Sequence, residues 1–188
     1  MKIKPLIAFL LLLTIVIGCE EETDYYPKPR GYMRLDFPDR VYNTYSAENC
    51  PFTFEMPKYF EVENKTGCNK DILMTRFNAT IFLTYLKIDS NLTLNTEYAR
   101  KLVYDHSIKA DAIDEYPFAD PKRKAYGLKY EIIGNAASPY QFYITDSVTH
   151  FLRGALYFNV KPNYDSIRTS LEYISEDIDN IIQTIEWK

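Results

Sequence analysis

The sequence predicts an α+β fold in which one curved antiparallel sheet carries two packed helices within a single domain. Aromatic residues make up 15% of the chain and include 17 tyrosines, a composition typical of sheet-rich proteins. Alternating apolar and polar residues over 74–88 predict a long strand, and a helical apolar period near the C-terminus predicts an amphipathic helix. Strands grouped around a few helices in this order are typical of the α+β class.

Residues 1–18 predict an export signal. Lys2 and Lys4 precede an uncharged apolar run, which is shorter than the roughly 20 residues that a helix needs to span a bilayer. This matches the apolar region of a signal peptide. The run ends in Val-Ile-Gly-Cys, the lipobox pattern of bacterial lipoproteins, with cleavage after Gly18 and a diacylglycerol on the Cys19 thiol. The alternative is an ordinary secretory signal followed by a chance cysteine.

Lipidation at Cys19 predicts that the mature chain is anchored to a membrane without spanning it, because two or more acyl chains suffice for stable attachment. Loss of the leader leaves 20 basic and 26 acidic residues, a net charge of −6. This charge argues against a nucleic-acid partner, which favours a basic face. The acidic residues that follow Cys19 favour the outer over the inner membrane.

Residues 19–31 predict an extended, lipidated tether, because Pro27 and Pro29 favour a polyproline path. The domain is expected to occupy residues 32–188. At the junction, three side chains present planar groups suited to contact, namely Arg30, Tyr32 and Arg34. Two interpretations stay open for this segment: it packs on its own domain, or it contacts a partner protein.

Further alternating stretches predict a strand at 32–37 and, after a loop that holds Cys50, two short strands within 51–64. Residues 91–112 change to a helical period and predict the first helix, capped near Asn95. Its expected buried stripe is Leu94, Tyr98, Leu102, Asp105 and Ile108.

Three successive antiparallel strands are predicted at 124–134, 139–147 and 149–160, with a tight turn at Asp146-Ser147. A C-terminal helix is expected from about Ser166. Its apolar stripe steps by three and four residues through Ile167, Leu171, Ile174, Ile178, Ile181 and Ile185, with Trp187 as a final anchor. This order of elements is similar to small domains of the PsbP/Mog1 type.

With Cys19 taken by lipid, Cys50 and Cys68 predict a disulfide, the simplest state for two cysteines in an oxidising envelope. A metal site is the alternative, but the histidines, His106 and His150, lie far away in sequence. The sequence predicts no metal ligands, no cofactor and no catalytic residues.

Asp146, Ser147 and His150 lie close together and suggest a hydrolase, but no Gly-x-Ser-x-Gly elbow surrounds the serine. We therefore favour a turn. The acid pair Glu176/Asp177 could act in acid–base chemistry, but it is expected to interact with a helix macrodipole or to be solvated. The basic run at 120–124 is expected to be a solvated loop, with contact to anionic headgroups or a partner as the alternative.

The segment Tyr25–Tyr42, together with Cys50-Pro51 and the C-terminal helix, resembles the gliding-motility lipoprotein family GldD of Bacteroidota. The resemblance implies an envelope lipoprotein that supports gliding motility and type IX protein secretion through assembly with other envelope lipoproteins, with no known catalytic activity. The alternative function is a surface-exposed lipoprotein that binds a ligand such as a glycan.

Overall fold

The structure, a computed structural model, describes residues 36–188, which contain ten strands, two α-helices and one 3₁₀ turn. The strands are β1 (Tyr42–Ser46), β2 (Phe52–Pro57), β3 (Glu61–Asn64), β4 (Lys70–Met74), β5 (Ala79–Lys87), β6 (Ala110–Asp120), β7 (Ala125–Gly134), β8 (Tyr140–Thr145), β9 (His150–Phe158) and β10 (Glu186–Trp187). The helices are α1 (Leu92–Tyr104) and α2 (Tyr164–Thr184), and the 3₁₀ turn is Thr75–Phe77.

The strands form two antiparallel sheets. The larger sheet has the order β3-β4-β5-β9-β8-β7-β6, and the smaller has the order β1-β2-β10. The predicted α+β class, the antiparallel pairing and the two helices are confirmed. The second sheet was not predicted, because β1 falls in a stretch expected to be a loop and β10 pairs only Glu186 and Trp187 with β2.

The main hydrophobic core lies between the larger sheet on one side and α2 with β2 on the other. Four isoleucines of the predicted C-terminal stripe, Ile174, Ile178, Ile181 and Ile185, are each 0% exposed. They pack in one cluster with Phe52 and Phe54 of β2 and with the apolar side chains of β4, β5, β8 and β9. The C-terminal helix and its apolar face are therefore confirmed, and burial of each such side chain stabilises the fold by about 2 kcal/mol.

The opposite face of the larger sheet packs against α1, and we call it the outer face. Val103 contacts Tyr130 and Ile132 there, and Ala99 contacts Phe151. Successive residues of a strand point to opposite faces. Leu152 and Leu156 of β9 consequently enter the main core, while Phe151 and Arg153 lie on the outer face.

The predicted stripe of α1 is wrong by one position. The helix buries Asn95, Ala99 and Val103, whereas Leu94 is 69% exposed and Tyr98 is 58% exposed. Large rings of the sheet already fill the space beneath α1, so the helix approaches through its smaller side chains. The predicted stripe was chosen from the large apolar residues of the helix. The spacing of those residues contains no information about the space left beneath the helix.

The predicted strand at 74–88 is divided in the structure. Asn78 adopts a left-handed conformation with φ 49°, which asparagine tolerates better than most residues. The 3₁₀ turn and Asn78 thus fold β4 back onto β5 as a hairpin, with Met74 opposite Ala79. Phe77, expected inside the strand, lies in the turn.

Two further differences concern the edges of the fold. β6 was not predicted: residues 110–112 were assigned to the helix, and no strand was predicted for the residues that follow. Pro117 is tolerated within β6 because β6 is an edge strand. The strand expected at 32–37 lies mostly outside the described residues, and Asp36 and Phe37 are not in a strand. In residues 36–188 no helix is long and apolar enough to cross a membrane.

Candidate functional site

A polar cluster on α2, which we call the Asp177 cluster, surrounds a carboxylate with 0% exposure. Its members are Phe37, Arg40, Tyr42, Tyr59, Tyr173 and Asp177. Asp177 Oδ1 accepts hydrogen bonds from the Tyr42 hydroxyl at 2.8 Å and from Arg40 Nε at 3.2 Å. Asp177 Oδ2 accepts from the Tyr59 hydroxyl at 3.1 Å. The buried charge is therefore paired and hydrogen-bonded, as buried charges must be.

Arg40 binds three residues of α2 at once, Glu176 and Tyr173 in addition to Asp177. Its Nη1 lies 2.7 Å from Glu176 Oε2, and its Nη2 donates to the carbonyl oxygen of Tyr173 at 3.0 Å. The guanidinium carbon also lies 4.2 Å from the centroid of the Tyr173 ring, a cation–π geometry. Arg40 thus fixes the chain before β1 against the middle of α2.

Residues 36–42, the lead-in segment, dock onto the domain through further contacts. The Phe37 ring stacks on Tyr173, with 4.5 Å between centroids, and lies 6.1 Å from Phe77. The Tyr173 hydroxyl donates to the carbonyl oxygen of Pro38, and Arg76 Nη2 donates to that of Asp36 at 2.8 Å. The lead-in segment is therefore held in place by α2 and the 3₁₀ turn.

Electrostatics keep the two tyrosine hydroxyls of the cluster protonated. Burial raises the pKa of the Asp177 carboxyl above its ordinary value, although Tyr42, Tyr59 and Arg40 act to lower it. Burial and the bond to Asp177 raise the pKa of Tyr42, and burial and the bond to Tyr173 raise that of Tyr59. Both phenols consequently remain protonated and act as donors. The arrangement suits a structural latch.

The residues singled out for lipidation and contact, Gly18, Cys19, Arg30, Tyr32 and Arg34, lie outside the described residues. Their assignments remain predictions. The same is true of the export signal at 1–18, the tether at 19–31 and the domain start at residue 32.

Cys50 and Cys68 form a disulfide, with 5.5 Å between their Cα atoms. Cys50 lies in the loop between β1 and β2, and Cys68 in the loop between β3 and β4. The bond therefore ties the smaller sheet to the larger one. Cys50 is 5% exposed and belongs to the main core.

We expect the double variant Cys50→Ser/Cys68→Ser to lose about 3 kcal/mol of the free energy of unfolding, because the disulfide lowers the conformational entropy of the unfolded chain. Urea denaturation followed by circular dichroism measures this loss. Wild-type protein treated with a reductant serves as the control and should unfold at the urea concentration of the double variant. An unchanged midpoint in both samples would contradict the prediction.

Asp146, Ser147 and His150 form a turn, as favoured from the sequence. Asp146 Oδ1 accepts hydrogen bonds from the backbone N–H groups of Val148, Thr149 and His150. The His150 ring is directed elsewhere: its Nδ1 lies 2.8 Å from the Tyr85 hydroxyl, and the ring stacks on Trp187. These three residues are thus not arranged for nucleophilic catalysis.

The basic run at 120–124 forms one wall of a cleft of about 480 Å³. Its lining includes Lys122, Arg123, Lys124, His150, Trp187 and Lys188, with the acidic residues Asp146 and Glu186. Arg123 is paired with Asp120 at 2.6 Å. The cleft therefore combines cations, acids and an aromatic ring. In residues 36–188, no group of three His, Cys, Asp or Glu side chains is placed to hold a metal ion.

The Asp177 cluster was not predicted from the sequence, and the expectation that Asp177 is a macrodipole partner or a solvated charge was wrong, because its carboxylate is buried. One signal was present: Asp177 lies three residues after Ile174 and four before Ile181, so it shares their side of α2. Its partners Arg40 and Tyr59 are 137 and 118 residues away in the chain. No local pattern connects residues so far apart.

The family model described as gliding motility lipoprotein GldD matches residues 22–187. The chain belongs to this family. Membership assigns it to the gliding motility lipoproteins, in agreement with the resemblance of Tyr25–Tyr42 and Cys50-Pro51, and supports a lipid-anchored location in the cell envelope.

The structure of the chain is similar to the solution structure of cyanobacterial PsbP (CyanoP) from Synechocystis sp. PCC 6803. The two share 12% identity with a TM-score of 0.47, and the match covers 83% of this chain and 98% of that chain. No curated protein matches the chain.

Proposed function

We propose that this GldD-family protein is a lipid-anchored envelope component that supports gliding motility and type IX secretion by assembling with other envelope proteins, without catalysing a reaction. The observation that carries the proposal is the docking of the lead-in segment. Phe37, Arg40 and Tyr42 hold residues 36–42 against α2. A domain whose surface at this segment is well defined suits an assembly role.

The anchor in this proposal is a diacylglycerol on Cys19, exposed as the new N-terminus by cleavage after Gly18. The pattern of the leader supports it, as does membership in a lipoprotein family. We place the anchor in the outer membrane because acids follow Cys19 directly. Arg30, Tyr32 and Arg34 remain candidate contacts for a partner.

The test is a deletion strain of the native host, complemented with wild-type protein or with Cys19→Ala. We expect the deletion to abolish colony spreading and to lower the amount of proteins secreted by the type IX route. Cys19→Ala should fail to restore either property, because the unlipidated chain lacks its hydrophobic attachment. Fractionation and mass spectrometry of the N-terminus check the anchor.

A complementing Glu48→Ala variant, altered at an exposed residue of the β1–β2 loop, controls for expression and handling. A deletion strain that spreads and secretes normally would contradict the proposed function. An unmodified Cys19 in the wild-type protein would contradict the anchor.

A glycan-binding function is the second candidate, favoured by the cleft that contains Trp187 and four cationic side chains. Aromatic rings provide flat apolar faces with a polar edge, as sugar-binding sites require. Calorimetric titration of the purified domain with acidic and neutral surface polysaccharides distinguishes the two functions. Binding that is lost in Trp187→Ala would favour this candidate.

A further inference from the structure

The outer face of the larger sheet carries unusually exposed apolar side chains. On β5, Phe82 is 40% exposed and Leu86 is 38% exposed; on α1, Leu94 is 69% exposed and Tyr98 is 58% exposed. Phe82 contacts Tyr157 of β9 edge to face, with 5.5 Å between centroids. Neighbouring apolar groups on one face are typical of interaction surfaces.

Arg153 lies in the middle of this face. In the register of the sheet it stands opposite Thr84 of β5 and opposite Tyr143 of β8. We call Phe82, Leu86, Leu94, Tyr98, Arg153 and Tyr157 the Arg153 patch. The side chain of Arg153 is half-buried, and its Nη2 donates to Oε1 of Gln141, which is only 1% exposed.

Among residues 36–188, Arg153 has no carboxylate partner. Burial lowers the pKa of its guanidinium, while only the phenols of Tyr157 and Tyr98 act to raise it. Arg40, by contrast, is paired with two carboxylates and has a raised pKa. A half-buried cation without a counter-charge is costly to keep, and within the described part of the chain a neutral amide oxygen is its side-chain acceptor.

The side-chain amide of Gln141 makes fewer hydrogen bonds than it could at this position. An arginine carries only donors, so the amide oxygen of Gln141 must face it and the amide nitrogen must point away. That nitrogen is buried and lacks a hydrogen-bond partner among the described residues. The amide therefore orients Arg153 without neutralising it, and the remaining N–H groups of the guanidinium stay available.

We propose that the Arg153 patch is a docking surface for a partner protein that places an aspartate or glutamate carboxylate against Arg153, with apolar contacts around it. Charge complementarity is the argument: residues 36–188 place no anion against the guanidinium, and the carboxylate of a partner would supply one. Arginine and tyrosine within an apolar surround are the residue types enriched at interface centres. The inference rests on the proposed assembly function and names the chemistry of the partner.

The experiment uses the full lipidated chain in its native host, with the photo-crosslinking residue p-benzoylphenylalanine in place of Tyr98. The same residue in place of Tyr116 is the matched control, since Tyr116 is also an exposed tyrosine but lies beside Lys129, which binds Asp179 of α2. We expect a protein adduct at position 98 only, with an acidic residue in the crosslinked peptide of the partner.

Charge reversal supplies the decisive comparison. Arg153→Glu should reduce the adduct by about tenfold or more, as loss of a central interface arginine does. Arg168→Glu, at an exposed arginine of α2, should leave it unchanged. Replacing the acid of the identified partner by lysine should restore the adduct to Arg153→Glu.

Several results would overturn the proposal: no adduct at position 98, an adduct with lipid, glycan or a second copy of this chain, or an adduct indifferent to Arg153→Glu. The purified domain gives an independent arm. The double variant Arg153→Met/Gln141→Leu should raise the melting temperature by about 3 °C, because it removes the uncompensated charge together with the buried amide that would otherwise lose its hydrogen-bond donor. A lowered melting temperature would show that the guanidinium serves the fold alone.

The proposed function can fail separately. A deletion strain that glides and secretes normally refutes that function, even if the crosslink to a partner acid is present. Conversely, loss of spreading in the deletion strain without a crosslink at position 98 refutes only the docking surface.

Discussion

Asp177→Ala is expected to destabilise the domain by about 3 kcal/mol. The substitution removes the acceptor of the Tyr42 and Tyr59 hydroxyls and the buried partner of Arg40. These partly buried donors would lose the acceptor that satisfies them in the wild-type protein. The loss corresponds to a fall of about 10 °C in the melting temperature of a domain of this size, which calorimetry measures.

The matched control is Glu176→Ala, because Glu176 binds the same arginine from the neighbouring position. Its side chain is 67% exposed, so its ion pair with Arg40 contributes less than about 1 kcal/mol. Equal losses in the two variants, or a more stable Asp177→Ala, would show that burial of this carboxylate does not hold the lead-in segment. Hydrogen exchange at residues 37–42 gives a local measure, and we expect faster exchange in Asp177→Ala only.

Gly127→Ala, introduced into the wild-type protein, is expected to lower the free energy of unfolding by about 3 kcal/mol. A Cβ atom at this position would lie 1.9 Å from the carbonyl oxygen of Tyr143 and 2.7 Å from the Phe118 ring. The first of these neighbours is the backbone of the adjacent strand β8, which cannot move aside without breaking the β7–β8 ladder. Urea denaturation and the yield of folded protein measure the effect.

Gly67→Ala serves as the control for a general glycine effect. Gly67 has φ +64°, but nothing lies within 4 Å of a Cβ built there. The expected cost is the left-handed conformation alone, about 1 kcal/mol. A Gly127→Ala variant no less stable than Gly67→Ala would contradict the close approach of β7 and β8.

The sequence predicted the elements whose signal is local. The stripe from Ile167 to Ile185 has a helical period, and all six of its members are buried in the structure. The three strands before it appeared at β7, β8 and β9, because alternation over a whole strand defines both the element and its two faces. The leader and the segment Tyr25–Tyr42 indicated the family, since these patterns are contiguous.

Prediction failed where two elements compete for the same space. The apolar residues of α1 suggested that Leu94 and Tyr98 are buried, yet the helix packs through Asn95, Ala99 and Val103. The rings of Tyr130, Tyr143 and Phe151 on the sheet decide this, and helical periodicity contains no information about them. The two-residue strand β10 was missed for a similar reason, because its pairing with β2 depends on where α2 ends.

The sequence by itself determined the class of the fold, the C-terminal helix, the pairing expected of Cys50 and Cys68 and the family. Only the tertiary structure decided that Asp177 is buried beneath Arg40 and two tyrosines, and that Arg153 stands on the sheet without a carboxylate partner from the part of the chain that the structure describes. The reason is physical: the burial and charge balance of a side chain are set by residues distant in the chain. Local sequence sets the period of an element, whereas packing sets its environment.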